Sequence, residues 1–401
     1  MTDAILPRVV PAPARTDRRR TGLIELALAV GGFAIGTGEF ATMGFLPDLA
    51  RTLDISEPTA GHVISAYALG VVVGSPIIAV LAAKLHRRTL LIGLMGVFAL
   101  GNLLSALAPG YHALLGLRFL TGMPHGAYFG VASLVAASLA PAGGRARAVG
   151  RVMMGLTIAT VVGTPLVTLL GQSLGWRLAF AGVGGVGLLT VLLVALFVPT
   201  SSATASSPLV ELGALRRPQV WLTLGVAAVG SGGVFAIYTY VSSTLTQVAG
   251  LPLALVPAAL VLFGLGMTAG NVVGSKLADR ALMPAIAGVL AWDAAVGAVY
   301  ACAAHNPWTA AEALFLVGCG FAILPGLQTR LMDVAADAQT LAAALNHSAF
   351  NVANALGAWL GGITVAAGYG WTSTGSVAAA LPALGLAVFG VSAALERRAK
   401  A

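Results

Sequence analysis

Long apolar runs recur from one end of this chain to the other, broken only by short gaps rich in proline, glycine and arginine. Each run matches the ~20 residues that a helix needs to cross a hydrocarbon core of ~30 Å. Inside that core a backbone must satisfy its own N–H and C=O groups, which a helix does within one segment. Only 9% of the residues are Asp, Glu, Lys or Arg and 58% are hydrophobic, against roughly 25% charged in soluble domains. A water-exposed surface cannot be built from so few charges, so a soluble globular fold is excluded.

Twelve runs are read, at 22–46, 59–83, 89–108, 112–139, 149–170, 176–198, 219–247, 253–275, 284–303, 308–331, 342–367 and 374–394. The expected fold is an all-α membrane protein of twelve transmembrane helices in two six-helix halves. Residues 1–21 are read as a cytoplasmic tail, 22–198 as the first half, 199–218 as a linker, 219–394 as the second half and 395–401 as a second cytoplasmic tail. The linker stretch PTSSATASSPLVELGALRRP is of the composition that stays flexible. The first run is too long for the apolar part of a signal peptide and is expected to remain as the first crossing.

The net charge of +8 does not point to nucleic acid, because the basic residues lie in the gaps. Lys and Arg fall in alternate gaps, all on one side except Arg51 and Arg177, with Arg118 inside a run. Basic residues mark the cytoplasmic side, so both termini are expected there. Cys302 and Cys319 have neither CxxC nor histidine spacing around them, so no disulfide framework, metal or other cofactor is expected. The chain has no GxxxxGK[ST] to bind ATP, and GVGGVG at 182–187 sits inside an apolar run with no strand before it. A membrane-embedded enzyme would need a catalytic loop or metal cluster, and the gaps are too short to hold one.

Ionisable residues within a crossing cost ~2.5–3.5 kcal/mol each and are functional candidates by default. Glu39 lies ~10 Å below the outer end of the first helix and Arg118 at a similar depth in the fourth. The two are expected to share one cavity, where a carboxyl can hold a proton while the site is closed and release it when water enters. A static ion pair holding two helices together is the alternative. His125 follows Arg118 by two helical turns and suits a proton relay or a bond to a neighbouring helix. Glu25 is read as interfacial, Asp293 as facing a cavity and Glu312 as near the surface. His347, Asn351 and Asn354 share one side of the eleventh helix, either lining a cavity or bonding a neighbour. Phe235, Tyr238 and Tyr240 offer aromatic faces to a ligand or belong to an interfacial belt. Met43 completes the residues assigned to the cavity.

A shift of 196 residues lays the halves on each other, with Gly70 on Gly266, Gly74 on Gly270, Lys84 on Arg280, and RFLTG (118–122) on LFLVG (314–318). Glycine patterns such as Gly70/Gly74, Gly126/Gly130 and Gly266/Gly270/Gly274 suit close helix approach rather than ligand binding.

With GTGEFATMGFLPDLA (36–50), ISAYALGVVVGSP (64–76), RFLTGMPHGAYFG (118–130), GTPLVTLLGQSLGWRLAF (163–180), GNVVGSKLADR (270–280) and LNHSAFNVANALGAWLGG (345–362), the chain resembles the major facilitator superfamily. The likeness is to its twelve-helix drug:proton antiporters, in the bacterial branch of arabinose or chloramphenicol efflux permeases. That resemblance implies a multi-pass monomer of the bacterial inner membrane, which exports small amphipathic molecules in exchange for protons by alternating access. Export of sugars or related metabolites is the alternative. The superfamily's loop motif between helices 2 and 3 survives as AVLAAKLHRR (79–88), where Lys84, Arg87 and Arg88 keep the basic places and Ala83 stands for the acid. The second-half copy keeps Asp279 and Arg280, so a conformational charge switch is expected to lean on that half. The helix 5 antiporter motif is partly kept, as Gly155, Gly163 and Pro165.

Overall fold

The computed structural model describes residues 18–81, 85–140, 145–200, 213–335 and 339–400. Lys84, most of the 199–218 linker and most of the N-terminal tail lie outside the described residues. Every regular element among the described residues is helical. In chain order these are α1 (Arg18–Gly44), α2 (Leu46–Leu53), α3 (Glu57–Leu81), α4 (Arg87–Ala106), α5 (Tyr111–Gly122), α6 (His125–Leu139), α7 (145–174) and α8 (Trp176–Phe197) in the first half. The second half has α9 (218–248), α10 (Val256–Arg280), α11 (Leu282–Ala303), α12 (307–335), α13 (339–369) and α14 (Ser373–Lys400). A 3-10 turn, Gly213–Arg216, precedes α9, and another, Leu253–Leu255, precedes α10.

Eleven helices among the described residues are long and apolar enough to cross a membrane. The run at 112–139, read as one helix, is instead α5 and α6, of 12 and 15 residues. Pro124 has no N–H to give and its ring crowds the carbonyl four residues back. Met123 and Pro124 nevertheless keep helical dihedrals, so α6 continues from α5 with a local break. Residues 47–53, read as part of a gap, join Leu46 in the short helix α2, whose apolar side, Leu46, Leu49 and Ala50, is buried. Asp54 closes it in the left-handed region at φ 52°, a conformation in which its short polar side chain is tolerated.

One hydrophobic core is confined to the first half, around Phe98, Tyr128 and Phe129. A second, around Leu290, Leu327 and Phe350, is confined to the second half, and a third runs across both. The shift of 196 residues seen in the sequence governs the packing itself. A Cβ at Gly70 would run into the Phe119 carbonyl and one at Gly74 into that of Met123; Gly266 and Gly270 stand in the same relation to Phe315 and Cys319. Gly122 and Gly318 return the contact, on the carbonyls of Tyr67 and Phe263. In each half the second apolar run therefore lies backbone to backbone on the fourth, the close approach that small residues allow in a bilayer.

Both copies of the fourth helix also change geometry at the matching place. The first breaks at Met123 and Pro124, while α12 tightens into a 3-10 turn over Gly320–Ala322. Gly155 and Gly163 in α7 lie against Ala29 and Thr37 of α1, where a Cβ would collide. Pro165 opens the last segment of α7, after a π turn over Ala159–Gly163.

Candidate functional site

Between the halves lies a cavity of about 570 Å³. Its first-half wall comes from α1, α6 and α7, and its second-half wall from α9, α10, α12 and α13. Phe40, Phe129, Phe235, Phe321 and Phe350 supply aromatic faces, and Met153, Met267 and Met332 supply flexible thioethers. Hydrogen-bonding groups are interspersed, among them Thr157, Asn271, Gln328 and Asn346.

The lining residues run from Glu39 to Ala137, Val149 and Met332, which lie close to the helix ends that carry the basic gaps. The opposite end is sealed across the halves. Glu57 at the start of α3 accepts from Ser243 Oγ and, at 3.1 Å, from Gln247 Nε2. Trp371 Nε1 in turn donates to Gln247 at 2.9 Å.

Glu39 stands at the head of the cavity, 7% exposed, and accepts from Asn354 Nδ2 at 3.3 Å, a bond that joins α1 to α13. His125, His347 and Asn351 also line the cavity. His125 Nδ1 meets the Tyr67 hydroxyl at 3.1 Å, and its ring lies 6.4 Å from that of His347, which stacks on Phe129. The two imidazoles thus face each other across the interface between the halves. Asn351 donates to the His347 carbonyl at 3.0 Å, and its own Oδ1 is left without a partner.

Arg118 differs from its expected place. It is fully buried and does not line the cavity. Its guanidinium donates to the carbonyl of Gly38 at 3.0 Å and to Asn102 Oδ1 at 3.4 Å, and lies over the Tyr67 ring at 4.4 Å and the Phe180 ring at 5.1 Å. Arg118 and Glu39 therefore do not form an ion pair; the cation holds the backbone of the residue before Glu39. Depth along a helix is readable in sequence, but the direction in which two side chains point around their helices is not.

Four other cavity assignments are corrected. Tyr238 is buried behind the wall, stacked on Phe263 with centroids 3.9 Å apart and edge-on to Phe40. Tyr240 belongs to the sealed end: its hydroxyl donates to the Ala358 carbonyl at 2.9 Å and fills the space over Gly61 and Gly362. Met43 is wholly buried in the core that joins the halves. Asn354 reaches the site through Glu39 and does not line the cavity itself. Of the other acids, Glu25, read as interfacial, is 6% exposed and paired at the basic end with Arg151 at 2.6 Å. Asp293 is buried outside the cavity lining, and Glu312 is exposed as expected.

At the basic end Arg88 donates to the Ala195 carbonyl and to Thr200 Oγ1 at 3.2 Å, and Arg87 to the Leu134 carbonyl at 3.5 Å. Asp279 and Arg280 are exposed at the end of α10, and no ion pair engages Asp279 among the described residues. The second-half switch expected at Asp279 and Arg280 thus has no ion pair formed at Asp279 in this conformation among the described residues. The α4 arginines are engaged, and they bond carbonyls and a hydroxyl. Tyr67, Phe129, Phe321 and Phe350 were missed, since aromatic residues are ordinary in membrane helices; the one usable signal was a tyrosine hydroxyl placed mid-helix.

The Major Facilitator Superfamily model matches residues 28–346. The chain belongs to that superfamily. It is 42% identical over 370 residues to the inner membrane transport protein YdhP of Escherichia coli K12, covering 92% of this chain and 95% of that one. It is 36% identical over 341 residues to a chloramphenicol resistance protein of Streptomyces lividans, with 82% and 86% covered. A crystal structure of a bacterial homolog of the human lysosomal transporter Spinster, in an inward-facing and occupied conformation, superposes with a TM-score of 0.76 at 17% identity, covering 94% of this chain and 98% of that one. That likeness shows the fold. As a member of the superfamily the protein is a multi-pass inner membrane transporter of small molecules and not an enzyme.

Proposed function

We propose that the protein exports small amphipathic molecules in exchange for protons, by alternating access, with Glu39 as the proton-carrying group. The observation that carries this reading is the position of Glu39, a carboxyl at the head of the cavity bonded to Asn354 of the opposite half. A group shared by both halves feels their relative movement, and proton release can then be tied to the change of access. His125, bonded to Tyr67 and facing His347, offers a path for that proton. Arg118 acts through the Gly38 carbonyl as a positioning residue for Glu39.

The five phenylalanines of the wall favour amphipathic cargo over sugars, whose many hydroxyls need more hydrogen-bonding partners. In this reading the chain crosses the membrane twelve times, with α5 and α6 forming one crossing, and both termini lie in the cytoplasm. The 199–218 segment links the halves, and the transporter works as a monomer. The cavity then opens to the cytoplasm. Arg87 and Arg88, with Lys84, Asp279 and Arg280, act on the cytoplasmic side during the change of access. Gly155, Gly163 and Pro165 let α7 move closely along α1.

Proton flux in inverted membrane vesicles tests this, followed with a pH-sensitive dye as hydrophobic cations, neutral phenicols and sugars are added. The expected result is a dye response to cations or phenicols that vanishes in Glu39→Gln. A well-expressed Glu39→Gln with normal efflux would refute the assignment, and a response to sugars alone would favour the metabolite exporter.

A further inference from the structure

Among the described residues Asp293 is the one acid of the second half placed mid-helix, eleven residues after Leu282 opens α11 and ten before Ala303 closes it, which is about 15 Å from either end. It is 6% exposed, and its Oδ2 has no hydrogen-bond partner. Its Oδ1 lies against Gly320, so closely that a Cβ there would collide with it, and Val234 of α9 closes the same space. Gly320 begins the 3-10 turn of α12, and the next residue, Phe321, lines the cavity edge-on to Phe235 at 5.9 Å. The carboxyl therefore stands directly behind the second-half wall of the cavity, against its least regular segment.

The charged residues of the helices packed on α11 lie near helix ends: Lys276, Asp279 and Arg280 on α10, Glu312, Arg330 and Asp333 on α12, and Glu396, Arg397 and Arg398 on α14. The Cys319 thiol is the titratable neighbour. Among the described residues no cation pairs with the carboxyl, and an ionised carboxylate without one is far too costly in such a place.

We propose that Asp293 is a second proton-carrying carboxyl, loaded in the conformation described here and unloaded when the Gly320–Ala322 turn moves with the cavity wall. The role rests on the antiport reading of Glu39, but the protonated state of Asp293 does not. Cargo pressing on Phe321 moves Gly320, the contact that keeps water from the acid. Proton release from the second half is thereby tied to occupancy of the cavity.

Two measurements on the full chain in liposomes test this. Infrared spectra of wild type, Glu39→Gln and Asp293→Asn over a pH series report the carbonyl band of protonated carboxyls. The expected result is a titrating band lost in Asp293→Asn, retained in Glu39→Gln and shifted in Asp293→Glu, which also checks that the site still folds. The ratio of protons to cargo, measured with tetraphenylphosphonium and chloramphenicol, should fall by one proton per molecule in Asp293→Asn and recover in Asp293→Glu. Absence of an Asp293-dependent band, a band that never titrates, or an unchanged ratio would each overturn the proposal. A titrating band with no proton flux in wild type would keep Asp293 as a proton site and remove the antiport reading instead.

Discussion

The two copies of the fourth helix share their packing and differ in their charge. α5 meets α3 through Gly70, Gly74 and Gly122, and α12 meets α10 through Gly266, Gly270 and Gly318, contact for contact. Yet α5 carries Arg118 where α12 carries Leu314, both fully buried. The third helix differs in the opposite sense: α4 brings Asn102 to the arginine, while α11 brings Asp293, without a cation, to Gly320. Backbone contact is what the repeat preserves, because two helices at glycine distance leave no freedom to change it. The side chains between them have diverged, giving one half a fixed cation and the other an unpaired acid.

The largest expected effect breaks this contrast on the first-half side. Arg118→Lys keeps the charge but cannot span the Gly38 carbonyl and Asn102 together. Transport in vesicles should be lost, and stability should fall by about 3 kcal/mol as a charged hydrogen bond goes unmade. Leu314→Met at the matching place should cost less than ~1.5 kcal/mol and leave transport intact. Wild-type transport by Arg118→Lys would mean that the cation serves only as charge.

Next, Gly70→Ala and Gly266→Ala should destabilise the protein alike, by ~1–3 kcal/mol each, as read from thermal unfolding in detergent. A neutral result for one of the two would break the equivalence of the interfaces. Phe129→Ala and Phe321→Ala, on opposite walls of the cavity, should each weaken equilibrium binding of an aromatic cargo by roughly three- to tenfold. An effect confined to one of them would place the cargo against a single half.

The smallest effect concerns the two ion pairs at the basic end. The Arg151 side chain is 45% exposed, so Glu25→Gln should shift the same unfolding assay only slightly. Arg330, 11% exposed and paired with Glu396 at 2.7 Å, should respond more strongly to Glu396→Gln.

Much of this fold was legible from the apolar runs, because a bilayer leaves a long apolar segment few structures other than a helix. The break before His125 was not read, although Pro124 was its visible cause. Within the site, Glu39, His125, His347 and Asn351 were found because polar groups are expensive in a membrane and stand out there. Tyr238 and Tyr240 were misplaced for the reason that hid Phe321 and Phe350: an aromatic ring is equally at home in a core, a belt or a cavity wall. Only the rotation of each helix about its axis decides among these, and that is set by neighbours distant in sequence.

The sealed end has a consequence for how long the transporter dwells in each state. Glu57 accepts two hydrogen bonds from α9, and Tyr240 fits into the notches at Gly61 and Gly362. Hydrogen bonds to a charged group contribute ~1.5–3 kcal/mol each, and every ~1.4 kcal/mol is a tenfold change in population. The seal thus acts as a bias in favour of the conformation described here. On the antiport reading, cargo must overcome it by binding the opposite conformation more tightly, so a weaker seal would raise the share of empty transporters in that conformation and slow the return of each to collect new cargo.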